Sequence, residues 1–105
     1  NNLVMIVDRN RLQSYGSDQE VLNMGDMAEK FRAFGCNAVE VDGHDHAALE
    51  ALLSHSGLDG SVQPTVVIAN TVKGKGVSFM ENRLEWHFTS PNEEQLAQAL
   101  EELSQ

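Results

Sequence analysis

The chain has 105 residues, 41% of them hydrophobic, which is material for one small domain with a modest core. Sixteen acidic residues against seven basic ones give a formal net charge of -9, which argues against nucleic acid or any other polyanion as a partner bound across a surface. A single cysteine, Cys36, allows no internal disulfide, and no run reads as a secretion signal or a bilayer span, so a soluble cytoplasmic protein with no membrane partner is expected.

Asn1 and Asn2 lead straight into the apolar run Leu3-Val4-Met5-Ile6-Val7, which predicts a parallel strand covered on both faces and a chain that begins within a domain. A polar loop follows, Asp8 to about Gln19. Met24, Met27, Ala28, Phe31 and Phe34 then recur at helical spacing, as core positions, and Gly35 supplies the stop. Ala38, Val39 and Val41 predict a second strand, and Asp42-Gly43-His44-Asp45 a turn into a helix carrying Leu49, Leu52 and Leu53. After a loop over 56–64, Thr65-Val66-Val67-Ile68-Ala69 predicts a third strand, and a long aperiodic polar segment runs from Asn70 to Ser90. The last helix carries Leu96, Leu100 and Leu103 on one face. Ser90 is expected as its cap, Pro91 as its first residue and Glu93 as the partner in a capping box.

Strands alternating with helices predict an α/β fold, an open parallel sheet with flanking helices joined by right-handed crossovers. Both polar loops leave the carboxyl ends of strands, the edge at which such sheets bind ligands. Asp8 and Asn10 carry oxygen donors two residues apart, and the Leu12 carbonyl could join them around a hard cation such as magnesium. Asp and Asn also cap strand-end turns by bonding to nearby backbone, and the spacing alone leaves both readings open. Asp42, His44, Asp45 and His46 surround a tight turn, where side chains diverge, and Asp45 is placed to cap the next helix, so the cluster reads as structural. Lys73 and Lys75 alternate with Gly74 and Gly76, a pattern that suits a phosphate-touching lid or plain solvated lysines. Cys36 follows a helix stop and reads as structural.

The run LVMIVDRNRLQSYG, then DMAEKFRAFG, VEVDGHD, PTVVIANTVKGKGVSFMEN and EWH, resembles the thiamine-diphosphate-binding domain of transketolases. It is most similar to the short, split transketolases whose amino-terminal part is a separate subunit. The resemblance covers essentially the whole chain, with five motifs in order. It implies the thiamine-diphosphate-binding fold, with residues 1–105 forming the carboxyl-terminal part of that domain and the upstream half, with its Gly-Asp-Gly motif, absent. It implies thiamine diphosphate and Mg2+ as cofactors, with metal ligands Asn10 (side chain) and Leu12 (main-chain carbonyl). Asp8 is not a ligand in that pattern and is expected to fix the loop by hydrogen bonds. Gln13 belongs to the matching text and joins Asn10, Leu12 and His87 in the implied cofactor-binding set.

In that family a histidine beside the cofactor's diphosphate and reactive ring donates a hydrogen bond or moves protons, which makes His87 the implied catalytic residue. The family continues His-Gly-x-Pro, whereas this chain reads His87-Phe88-Thr89-Ser90-Pro91. The alternative for His87 is an exposed loop histidine beside Trp86. The implied activity is transfer of a two-carbon ketol unit between sugar phosphates. It requires a complementary pyrimidine-binding transketolase domain or subunit in a homo- or hetero-oligomer, so the chain alone is expected to be inactive. Two other classes compete: a non-catalytic, degenerate transketolase-like scaffold, and an open-sheet signalling domain with Asp8 as acceptor. The latter usually gathers carboxylates at neighbouring strand ends, and the third strand here ends Ala69-Asn70-Thr71 without one.

Overall fold

A computed structural model describes residues 3–55 and 62–104; the expected loop over 56–64 therefore lies largely outside the described residues, as do Asn1 and Asn2. The chain divides into two compact units, one drawn from residues 1–9 and 24–71, the other from residues 10–23 and 72–105.

The first unit is a three-stranded parallel sheet. β1 (Val4–Arg9), β4 (Asn37–Asp42) and β5 (Thr65–Asn70) stand in the order β1-β5-β4. Val4 pairs with Thr65 and Arg9 with Asn70, while Asn37 pairs with Thr65 and Asp42 with Asn70. The three carboxyl ends are therefore level, which bears out the expected open parallel sheet. The expectation that the first apolar run is covered on both faces is corrected. Among the described residues β1 is an edge strand whose Val4, Met5 and Ile6 are exposed, and the strand covered on both faces is β5, where Val66, Val67 and Ile68 are essentially inaccessible. An uninterrupted apolar run marks a strand as apolar on both faces, but strand order decides which such strand sits in the middle.

Helix α2 (Met27–Ala33) covers one face of this sheet. Ala28, Ala38, Val66 and Ile68 form its buried cluster, with Val7, Met27, Phe31 and Cys36 packed around it. The structural reading of Cys36 and the core placement of Met27 and Phe31 hold. The helix is shorter than the apolar spacing suggests, because Asp26 caps it by accepting the Glu29 amide at 2.8 Å and leaves Met24 outside. Phe34 falls on the closing turn and is 84% exposed, a correction to its expected place in the core. Gly35, at φ +80°, makes the left-handed stop that the sequence foretold.

Helix α3 (His46–His55) begins as expected: Asp45 Oδ1 accepts the Ala48 amide at 2.9 Å, and Asp42 Oδ1 accepts the His44 amide at 2.9 Å. The Asp42-to-His46 cluster is thereby used as turn and cap. Gly43 is required there, since a Cβ would stand 2.4 Å from Thr71 Cγ2 and 3.2 Å from the Asn70 carbonyl oxygen.

The second unit contains what the sequence reads as loops. Within Asp8 to Gln19, the structure forms a small antiparallel hairpin, β2 (Leu12–Gln13) with β3 (Gly16–Ser17), and then helix α1 (Asp18–Leu22). Ser17 and Glu20 close a reciprocal capping box, and both hydrogen bonds from Ser17, side chain first, hold the Glu20 carboxyl below its ordinary pKa. Helix α4 (Glu93–Leu103) starts two residues later than Ser90, Pro91 and Glu93 imply. Asn92 Oδ1 accepts the Gln95 amide at 2.9 Å, and Gln95 Oε1 accepts the Asn92 amide at 3.0 Å. Ser90 and Asn92 are equivalent caps in isolation, but capping at Asn92 puts both Glu93 and Glu94 in the first turn, where the helix dipole favours them. On α4 the buried residue is Ala99, and Leu96, Leu100 and Leu103 are exposed.

Candidate functional site

The anchor residues are set by a turn. β1 ends at Arg9, and the next residue, Asn10, folds its side chain back so that Oδ1 accepts the Leu12 amide at 3.0 Å. Arg11 between them adopts the left-handed conformation, φ +62°, and its carbonyl accepts the Asp18 amide at 2.9 Å. This is the Asx turn that the spacing allows, built on a left-handed residue that costs about 1–2 kcal/mol for a side chain other than glycine. Such strain in a short turn next to a strand end is a common mark of a functional segment. Leu12 and Gln13 are half-buried in the hairpin that follows.

The donor set can be judged on this geometry. The Asn10 Oδ1 and the Leu12 carbonyl oxygen are neutral, hard donors from one turn. An amide oxygen has two acceptor positions, so the bond from the Leu12 amide leaves Asn10 Oδ1 one further lone pair. Two neutral oxygens suit Mg2+ when its charge is met by phosphate oxygens and a carboxylate from elsewhere. Among the described residues, no three His, Cys, Asp or Glu side chains stand together as a metal-holding group. The turn therefore fits a cation shared with an anionic ligand.

Asp8 is outside that set. Its Oδ1 accepts the Thr71 hydroxyl, and the Thr71 amide donates to the Arg9 carbonyl at 3.1 Å. Asp8 thus ties the ends of β1 and β5 together, as the family pattern implies, and Thr71 is a partner that sequence reading missed.

His87 closes a short 3-10 turn, Leu84–His87, in the same unit as Asn10. It is exposed, its ring centroid 5.9 Å from that of Phe88. The turn is held by its neighbour: Trp86 Nε1 donates to the Phe79 carbonyl at 2.9 Å, and the two rings lie 5.4 Å apart. The structure joins Asn10 to Leu12 by a hydrogen bond and leaves His87 on a separate element with an accessible imidazole.

The glycine-rich stretch, for which the sequence leaves a lid and solvated lysines both open, is a loop stitched by its own hydrogen bonds. The Lys75 amide donates to Val72, Val77 to Gly74, and Asn82 to Lys73, all within 3.0–3.2 Å, and the Gly76 amide donates to Glu81 Oε1 at 3.0 Å. Lys75 Nζ lies 3.6 Å from Glu81 Oε1 on the surface. Ser78 is fixed to α4: its amide and hydroxyl both donate to the Glu102 carboxylate, and Gln98 adds a third bond. These bonds, the Ser78 amide first, hold the Glu102 carboxyl below its ordinary value of 4.5. A folded pKa below the unfolded one means the contribution is full above pH 4.5 and is lost as the pH falls through the lowered value. An NMR titration of the Ser78 amide is thus expected to show a midpoint below 4.5, abolished by Glu102→Gln; a midpoint at or above 4.5 contradicts the contact.

A family model described as "Transketolase, thiamine diphosphate binding domain" matches residues 1–104. An apulose-4-phosphate transketolase subunit of Phocaeicola vulgatus is 37% identical over 105 residues, 99% of this chain and 37% of that protein. The protein of the same name from Actinobacillus succinogenes is 40% identical over 102 residues, 97% of this chain and 36% of its own length. The crystal structure of transketolase from Campylobacter jejuni superposes with a TM-score of 0.87 at 25% identity, covering 98% of this chain and 16% of that one. The chain thus spans a little over a third of the length of these curated relatives.

Proposed function

The chain belongs to the family of the transketolase thiamine diphosphate binding domain, and from that premise we propose that it is the carboxyl-terminal part of such a domain in a transketolase that moves a two-carbon ketol unit between sugar phosphates. The observation that carries this reading is the Asn10–Leu12 turn: two hard oxygen donors in the residues that directly follow the first strand in sequence, on a strained backbone. In this reading the Asn10 side chain and the Leu12 carbonyl would hold Mg2+, which would offset the charge of the cofactor's diphosphate, and Gln13 would belong to the same binding set. The bound cofactor supplies a carbon nucleophile and an electron sink. The exposed imidazole of His87 donates a hydrogen bond to negative charge that develops beside it, or moves a proton there.

The remaining metal ligand and the group that activates the cofactor's aminopyrimidine come from outside these residues. A complementary pyrimidine-binding domain or subunit is the proposed partner, in a homo- or hetero-oligomer. The word "subunit" in the relatives' names supports a separate chain. Those relatives are named for apulose 4-phosphate, another for 6-deoxy-6-sulfo-D-fructose, and substrates of that class, ketose phosphates and close analogues, are proposed here. No helix of the described residues is long and apolar enough to cross a membrane; a cytoplasmic location is part of the proposal. An assay of ketol transfer by the full-length protein mixed with its partner subunit tests the reading. Activity is expected with thiamine diphosphate and Mg2+, lost on chelation and restored by Mg2+; activity indifferent to chelation or to the cofactor contradicts it.

A further inference from the structure

The face of the sheet that α2 covers does not stay apolar to its end. Arg9 pairs in register with Asn70, and Glu40 stands two residues before Asp42, the partner of Asn70 on the other side. The three side chains therefore continue the Val7, Ile68 and Ala38 face at the carboxyl edge. Glu40 Oε2 accepts the Asn70 Nδ2–H at 3.2 Å and faces Arg9 Nη1 at 3.9 Å. One carboxylate oxygen so links the two outer strands across the central one. The arrangement is costly. Arg9 is largely buried, and its Nε, together with Asn70 Oδ1, is enclosed without a hydrogen-bond partner among the described residues. Unsatisfied buried groups of this kind oppose folding, and local rules are broken in this way mostly at functional sites. Arg9 is also the residue directly before Asn10. Its carbonyl is fixed by the Thr71 amide, and the preceding Asp8 is fixed by the Thr71 hydroxyl on the opposite face.

We propose that Glu40 and Arg9 are positioning residues for the metal anchor: the ion pair across β5 fixes the end of β1, to which Asn10 is directly joined in the chain. Neither touches the cofactor. The role rests on the reading of Asn10 as a metal ligand given above. Among the described residues Glu40, 3.9 Å from Nη1, is the charged group that faces the Arg9 guanidinium, and removing it takes that charge from the last side chain before the anchor.

The test is a double-mutant cycle on Mg2+-dependent binding of thiamine diphosphate by the full-length protein, with the melting temperature of the cofactor-free protein measured beside it. Glu40→Ala is expected to weaken binding about tenfold, in the range found when the support of a metal ligand is removed. It is expected to have no further effect in an Asn10→Ala background. Glu40→Gln keeps an acceptor for Asn70 but loses the charge facing Arg9, and is expected to fall between wild type and Glu40→Ala while melting like wild type. If Asn10→Ala weakens binding and Glu40→Gln and Glu40→Ala leave it unchanged, or add to Asn10→Ala independently, the positioning role is overturned and the anchor stands. If Asn10→Ala itself leaves binding unchanged, the underlying reading fails first.

Discussion

Asn10→Ala is expected to lower the affinity of the full-length protein for thiamine diphosphate in Mg2+ by about 100-fold, the upper end of the loss seen when a metal ligand's surroundings are disturbed. The effect is large because one oxygen does two things in the proposed site. Asn10 Oδ1 accepts the Leu12 amide, which holds Arg11 in its left-handed conformation, and its remaining lone pair is the proposed ligand to the metal. Truncation removes both, so the Leu12 carbonyl is released as well. Asn10→Asp supplies the same acceptor for the turn and a hard oxygen for the cation, and is expected to retain much of the Mg2+-dependent binding that alanine loses. Calorimetric titration of both variants checks the pair; equal losses would mean that the side-chain oxygen is not what the site needs.

Gly74→Ala is expected to destabilise the protein by about 3 kcal/mol, read as a shift of the urea midpoint. At φ +75° an added side chain is strained before any contact is considered. Its Cβ would then stand 2.6 Å from both the carbonyl carbon and the carbonyl oxygen of Met80. Backbone cannot rotate away as a side chain can, so the 72–82 loop must open and give up some of its stitching hydrogen bonds. Gly76→Ala is the control. It shares the positive φ, at +90°, but its nearest obstacle is Leu103 Cδ2 at 3.0 Å, the movable end of a flexible chain. The smaller loss is therefore expected at Gly76. Similar losses at both positions would show that the close approach to Met80 carries no weight.

Much of the fold is legible in the residues because local signals and packing agree. The three β-branched or apolar runs, the Gly35 stop and the Asp45 cap are each written in a few adjacent residues and are found where expected. Strand order is not local. Leu3 to Val7 and Thr65 to Ala69 look alike as text, and only pairing decides that the second is central and the first exposed. The start of α4 falls two residues after the box Ser90-x-x-Glu93 because a second box, Asn92-x-x-Gln95, competes with it and is favoured by first-turn electrostatics. The box Ser17-x-x-Glu20, which opens α1, was present in the sequence and lay hidden within a polar stretch too short to show helical periodicity.

The candidate site divides along the same line. The Asx turn at Asn10 is a spacing of two residues, one of the two readings that the spacing allows, and it is the family resemblance that singles out Asn10 and Leu12 as a pair. The ties of Thr71 to Asp8 and of Glu40 to Arg9 and Asn70 join residues distant in the chain and brought together only by strand register. No pattern along the chain marks them. The glycines leave the reading open in the sequence, because Gly-x-Gly is compatible with a mobile lid and with a tight, positive-φ loop alike, and the close approach of Gly74 to Met80 is visible only in the fold.

The measurement closest to the central claim is a titration of thiamine diphosphate into the full-length protein, first with Mg2+ and then after its removal by a chelator. Saturable binding at one site is expected with Mg2+ and an affinity at least about tenfold weaker without it, with Asn10→Ala behaving in Mg2+ as wild type does under chelation. Binding that ignores the metal, or an Asn10→Ala variant that binds as wild type does in Mg2+, would contradict a cation held by this turn.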